Sequence, residues 1–453
     1  MLNNALAVAK PGLVAAVLVA LTMPLIRSVE RRPGNAGVAR VMRWGLALKM
    51  VAVPVYLQVV ATFYDGVADY NRYHGIGSRV APSLRAGDLS LEVGEVVGEG
   101  FVGIVTGVFY ALLGVSRPAA FVFFSWLAFL GMFFFFRAFE TALPGADRPR
   151  YAKLLFFFPT MVFWSSALGK DAIMVFALGV GSFGAARLLR QERGGAAVLG
   201  AGAVVALLVR PHMSLLLLCA VGLAIAVRRS APSAAVPGVK LVVLAALGLG
   251  TLAVAGKVAE FVGVDSLNPS SVSEVLDETE ENTLAHNQGE GTGDRFGSSV
   301  ERSGSRGPLQ FPRHAVTVLF RPFFFEARNG PAMVASAEGT VMLALVVLAR
   351  RRLVALPRLL RRHPYLLLSL AYVIVAIYLF SSFRNLGLLA RQRVQLLPAL
   401  LVLLCPPSAS ASPSPSPAVP GPSRRQLWTV PQPEPVRWLP LTSPGQPRGP
   451  AAP

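Results

Sequence analysis

Apolar runs long enough to cross a lipid bilayer follow one another along almost the whole chain, parted by short, mostly basic connectors. A helix rises about 1.5 Å per residue, so roughly 17–25 apolar residues carry it across the hydrocarbon. The runs fall at 12–26, 44–63, 100–116, 118–136, 152–168, 170–189, 195–210, 212–228, 239–262, 332–349, 364–382 and 386–405. In lipid every backbone amide must be satisfied within the segment, which makes runs of this length helices. The expected fold is all-α, a polytopic transmembrane helix bundle of about 11–12 membrane segments, one of them re-entrant or flat in the interface. It occupies residues 1–405.

Charge then sets the topology. Only 15% of the 453 residues are charged, with a net charge of +19, against about 25% in soluble domains. The basic residues cluster between apolar runs, as the positive-inside bias requires, so the charge reads as orientation and nucleic-acid binding is excluded. Residues 27–49 hold Arg27, Arg31, Arg32, Arg40, Arg43 and Lys49 against Glu30 alone, and 350–362 hold six arginines and no acid. Both are expected to be cytoplasmic. The loop 64–99 carries Asp65, Asp69, Asp88, Glu92, Glu95 and Glu99 against three arginines, and with the long polar loop 263–330 it is expected outside. Counting spans forward from 64–99 places Lys170 and Arg210 inside, whereas counting back from 350–362 places them outside. The conflict vanishes if one segment turns back, and the glycine-rich 100–116 is the best candidate. Residues 406–453, with fifteen prolines in 48 residues, are expected to form a disordered cytoplasmic tail.

Five constellations could carry chemistry. The first outer loop opens with Asp65-Gly66-Val67-Ala68-Asp69-Tyr70-Asn71-Arg72-Tyr73-His74. Two carboxylates four apart would share a helix face, and could serve as a general base or hold a divalent metal against a phosphate. Tyr70 and His74 offer ring faces and polar atoms for a sugar. The alternative is a solvated acidic helix end. The second is Pro159-Thr160-Met161-Val162-Phe163-Trp164-Ser165-Ser166, closing on Lys170-Asp171. Lys170 and Asp171 either pair with each other or bind a phosphate and orient a hydroxyl, with Trp164 beside them. The third is Arg210-Pro211-His212, in which the arginine either binds a phosphate or snorkels to headgroups. The fourth joins Arg321 and Glu326 in a phenylalanine-rich interfacial stretch to Glu338, an acid inside an apolar run. The last is Arg384, Arg391 and Arg393, at the outer end of the last two helices, where the positive-inside rule least expects them. Arg391 and Arg393 are two apart, so one of them at most faces a site, and a diphosphate would supply the missing counter-charge.

No histidine pair has metal-ligand spacing, and Cys219 and Cys405 both lie in apolar runs, so neither a cysteine metal site nor a disulfide framework is indicated. No cofactor is specified, and a divalent metal at the carboxylates stays open.

With its Asp-x-x-x-Asp-Tyr loop, Pro-x-x-x-Phe-Trp-Ser-Ser-x-x-x-Lys-Asp turn, Arg-Pro-His hairpin and closing Arg-x-x-Gly-x-x-x-Arg-x-Arg, the chain over residues 45–405 resembles a group of actinobacterial membrane proteins. These are akin to GT-C-type glycosyltransferases and to O-antigen or exopolysaccharide polymerases. The resemblance implies a multi-pass protein of the bacterial cytoplasmic membrane, with an outward cavity and a polyprenyl-phosphate-linked sugar as donor. It also implies that Asp65 or Asp69 is catalytic, and the Lys170-Asp171 turn, read from its residues, adds Asp171 as a further candidate. No long soluble C-terminal domain like that of such enzymes is expected within residues 1–453. A flippase or transporter of lipid-linked or anionic substrates, and a non-catalytic envelope-assembly protein, are the rival readings.

Overall fold

In a computed structural model the chain is described at residues 2–66, 68–89, 93–228, 236–262, 275, 277–278, 308–383 and 385–407. The expected tail, at 408–453, and most of the second outer loop lie outside the described residues. Seventeen helices make up the described fold and no strand is present among those residues. The all-α expectation holds. Six helical stretches are long and apolar enough to cross a membrane, and up to eight if two bent pairs each count as one span, so the chain is a multi-pass membrane protein.

The helices are α1 (Leu2–Glu30), α2 (Val38–Phe63), α3 (Tyr70–Arg85), α4 (Phe101–Leu113), α5 (Arg117–Ala142), α6 (Arg148–Phe157), α7 (Pro159–Phe163), α8 (Lys170–Leu189), α9 (Gly195–Val209), α10 (Pro211–Val227) and α11 (Val236–Val262). After them come α12 (Phe311–Phe320), α13 (Gly330–Leu348), α14 (Arg350–Leu360), α15 (Pro364–Phe380), α16 (Leu386–Gln392) and α17 (Leu397–Leu404). Two of the apolar runs are broken. Pro159 holds Phe158 extended, which ends α6, and the chain continues as α7 and a 3-10 turn over Trp164–Ser166. The run 386–405 splits into α16, a 3-10 turn and α17, bent by 65°.

Contacts give each helix its direction. Lys10 at the start of α1 donates to the Gly114 carbonyl ahead of α5 at 3.1 Å, and Trp126 donates to Thr22 at 2.8 Å. At the far end Asn35 donates to Glu140 at 2.6 Å, so α1 and α5 run parallel. The α6–α7 segment starts at that far end, where Arg148 donates to the Pro33 carbonyl, and climbs to Gly169, which rests against the Tyr73 ring. From there α8 returns alongside α5. Gly131 of α5 and Gly179 of α8 meet backbone to backbone, and a Cβ on either would overlap its neighbour's main chain. Gly181 and Gly202 bring α8 and α9 equally close. Small residues of this kind let transmembrane helices gain dispersion contacts where no hydrophobic force drives them together. The end holding Arg148, Arg190 and the arginines of α14 is the arginine-rich end, and the other is the acidic-loop end.

Segment 100–116 does not join the two ends. Glu99, just before α4, pairs with Lys170 at 3.7 Å, while Gly114, just after it, binds Lys10. Three residues further, the Arg117 guanidinium sits 5.9 Å from the centre of the Tyr70 ring. Both ends of α4 therefore lie at the acidic-loop end. The helix packs on α3 there, with Gly103 under Ile76 and Gly107 under Val80. This removes the topological conflict, since Lys170 and Arg210 share an end with the loop 64–99.

The glycine contact makes a test of this packing. Gly179→Ala should lower the thermal stability of the detergent-solubilised protein by about 1–3 kcal/mol, the usual cost of overpacking. Gly200→Ala, where a Cβ meets nothing within 4 Å, should leave the melting temperature unchanged or slightly raised.

Candidate functional site

At the acidic-loop end, charged side chains from five separate stretches of sequence meet. Asp171 opens α8 and is buried, with its side chain 3% exposed. A carboxylate buried this deeply needs cations and hydrogen bonds to remain ionised. Arg391 of α16 donates to Asp171 through Nε and to Asp69 through Nη1, the latter at 2.8 Å. Arg210 approaches from the α9–α10 hairpin, its Nη1 3.0 Å from Asp171 Oδ1. These two atoms face each other as an ion pair and both are closed off from the surface. Next to this triad Lys170 faces Glu99, which also accepts from Arg72 Nε at 2.8 Å. Four cations and three carboxylates thus form one rim among the described residues.

Several expectations change. Asp65 and Asp69 do not share a helix face: α2 ends at Phe63, Asp65 sits at φ 50° and Gly66 at φ 73°, and Asp69 only precedes α3. Left-handed backbone at two successive residues breaks the helix, and Asp and Gly are residues that tolerate it. Lys170 and Asp171 do not pair with each other, because successive residues on a helix point about 100° apart. Each takes its own partner. The counter-charge of Arg391 comes from Asp171 and Asp69 within the chain itself. As the spacing predicts, Arg393 points elsewhere: it is buried and donates through Nε to the Val318 carbonyl at 2.6 Å.

The remaining candidates scatter. The Tyr70 ring is buried edge-on against Phe121, with 5.0 Å between centroids. His74 bonds through Nδ1 to the Tyr110 hydroxyl at 2.7 Å and holds α3 to α4. Trp164 packs edge-on with Phe163 and Tyr56. His212 is half-buried at the start of α10. Arg321 closes on Glu326 within its own turn, through Nε at 3.1 Å and through Nη2. Burial works to raise the Glu326 carboxyl, but the hydrogen bonds from Arg321 and the Phe323 amide hold it below its ordinary value. Glu338 lies deeper, buried on α13, within electrostatic reach of Thr160 and Arg393. It forms a second polar layer with Arg393, two residues past Arg391. Arg384 lies outside the described residues.

Three residues of the site carry little sequence signal. Glu99 and Arg72 sit in the charged loop and look like ordinary outer-loop residues. Lys49 counts, by sequence, with the basic connector, yet it is wholly buried on α2 and donates to Ser165 Oγ at 2.9 Å and towards the Val162 carbonyl. It therefore anchors the Trp164–Ser166 turn that leads to Lys170 and Asp171. Among the described residues no three His, Cys, Asp or Glu side chains gather as a metal set. No family model, curated protein or solved structure matches the chain.

Burial ranks the two aspartates. Asp171→Ala leaves the largely buried Arg210 without its carboxylate and should cost about 3–5 kcal/mol, the loss seen when one partner of a buried pair is removed. The Asp69 side chain is 57% exposed, and Asp69→Ala should cost less than about 1 kcal/mol. Thermal melts of both variants in the same detergent give the comparison.

Proposed function

We propose that the rim is the active site of a membrane enzyme of cell-envelope glycan assembly. It would transfer or polymerise sugars from a polyprenyl-phosphate-linked donor at the outer face of a bacterial membrane. The observation that carries this reading is Arg391 shared between the exposed Asp69 and the buried Asp171. The donor phosphate, arriving beside Arg391, competes with Asp69 for the guanidinium and releases that carboxylate. Asp69 then takes the proton of the acceptor hydroxyl. The hydroxyl oxygen attacks the anomeric carbon, the bond from that carbon to the phosphate oxygen breaks, and the electron pair leaves with the phosphate. Arg391, Arg210 and Lys170 stabilise the charge that builds on it, and bidentate arginine suits that task. Asp171 holds the two arginines in place. The rim faces outward if the arginine-rich end is cytoplasmic, as the positive-inside rule has it.

A transport reading draws support from one observation, the buried Glu338–Arg393 layer that continues polarity inward from Arg391. Intramembrane acids of this kind mark ion or proton paths in carriers.

The two readings diverge on mutation. Asp69→Asn should cut incorporation of labelled sugar into envelope glycan by about 100-fold or more, the share typical of a general base, while the lipid-linked donor still binds. Glycan unchanged in cells carrying Asp69→Asn and Asp65→Asn together would sink the transferase. Loss of glycan in Glu338→Gln with Asp69→Asn silent would put transport in its place.

A further inference from the structure

We propose that the arginine-rich end holds a binding site for the headgroup phosphate of an anionic diacyl phospholipid, between α14 and the α5–α6 connection. The site is independent of the rim and of the activity proposed for it. Helix α14 meets α15 at 115°, so it lies across the end of the bundle instead of continuing the span. Beside it opens a pocket of about 360 Å³ lined by Arg351, Arg352, Ala355, Leu359, Asp147 and Pro406–Pro407. The pocket has room for a phosphate and the glycerol it esterifies.

The charge in and around this pocket is unmatched. Residues 350–362 carry six arginines and no acid, and none of the six makes an ion pair among the described residues. Arg352 reaches only the Leu404 carbonyl, at 3.4 Å. Asp147, the one acid of the lining, already accepts from the Arg150 amide at 3.0 Å as the cap of α6. The lining thus holds two arginines against one carboxylate, which pairs with neither of them among the described residues, and it carries net positive charge that an anion can meet. Arginine forks match phosphate oxygens two at a time.

The occupant is a lipid because of what borders the pocket. Leu348, just before α14, is 77% exposed and Val354 on α14 is 82% exposed. Apolar side chains so open beside an arginine cluster suit the boundary where acyl chains meet headgroups, the habitual place of a flat amphipathic helix. A free phosphate would gain nothing from them.

Native mass spectrometry of the full chain in detergent, titrated with phosphatidylglycerol, phosphatidylcholine or inorganic phosphate, tests this. Each basic residue near an anionic surface contributes about five-fold in affinity, so losing two costs about 25-fold on general electrostatics. The double variant Arg351→Gln/Arg352→Gln should lose the retained phosphatidylglycerol by at least that factor. Arg361→Gln/Arg362→Gln removes the same charge outside the pocket and should lose several-fold less. Ala355→Trp, which fills the pocket and keeps every charge, should also release the lipid and so covers the case in which the arginine variant does not fold. Equal losses in the two double variants would overturn the site in favour of diffuse attraction. Retention in Ala355→Trp, equal retention of phosphatidylcholine, or displacement by inorganic phosphate at matched concentration would each overturn it as well.

Discussion

Asp171 is a carboxylate that the bundle has removed from water, and most of the arrangement at the acidic-loop end answers that fact. An ionised group in so apolar a setting is tolerable only when cations and donors replace its hydration. The first helices supply no such cation beside it, so it comes from the α9–α10 turn and from α16, 220 residues downstream of Asp171. Arg391 then carries one more donor than Asp171 uses, and Asp69 accepts it. Burying one acid at the head of α8 thus draws α3, the α9–α10 hairpin and the last helices to a common point.

The two ends of the bundle solve opposite problems. At the acidic-loop end nearly every charge has a partner within the chain, and the pairs join elements far apart in sequence. At the arginine-rich end Glu140 gathers Arg32, Arg137 and Arg148, but the arginines of α14 have no ion-pair partner among the described residues. Charge that is internally matched fixes a geometry, whereas unmatched charge calls for a counter-ion from outside.

Much of this was legible in the chain. Periodic apolar runs announce helices because the bilayer sets their length, and the odd glycine content of 100–116 marks a segment that returns to its starting side. Lys170, Asp171, Arg210 and Arg391 stand out as charges where lipid makes charge costly, Asp69 stands out as an acid of the outer loop, and the structure brings all five to one rim. The pairing is what sequence does not carry. Lys170 stands next to Asp171 yet reaches Glu99, and Arg391 finds two aspartates 220 and 322 residues away. Such choices depend on how whole helices rotate, which glycine contacts such as Gly131–Gly179 decide. Lys49 was hidden for a different reason: at the end of a basic connector a lysine reads as topology, and only its serine partners reveal that it lies inside.

The glycine contacts also divide the molecule mechanically. Helix α8 touches α5 at Gly131–Gly179 and α9 at Gly181–Gly202 backbone to backbone, with no side chain between them at those points, so the three pack as a close-set block. The rim bridges that block to α3 and α16 through long arginine side chains, which can swing without disturbing any main chain. Any change of geometry at the rim can thus be taken up by these side chains, with the close-set helices as the fixed reference.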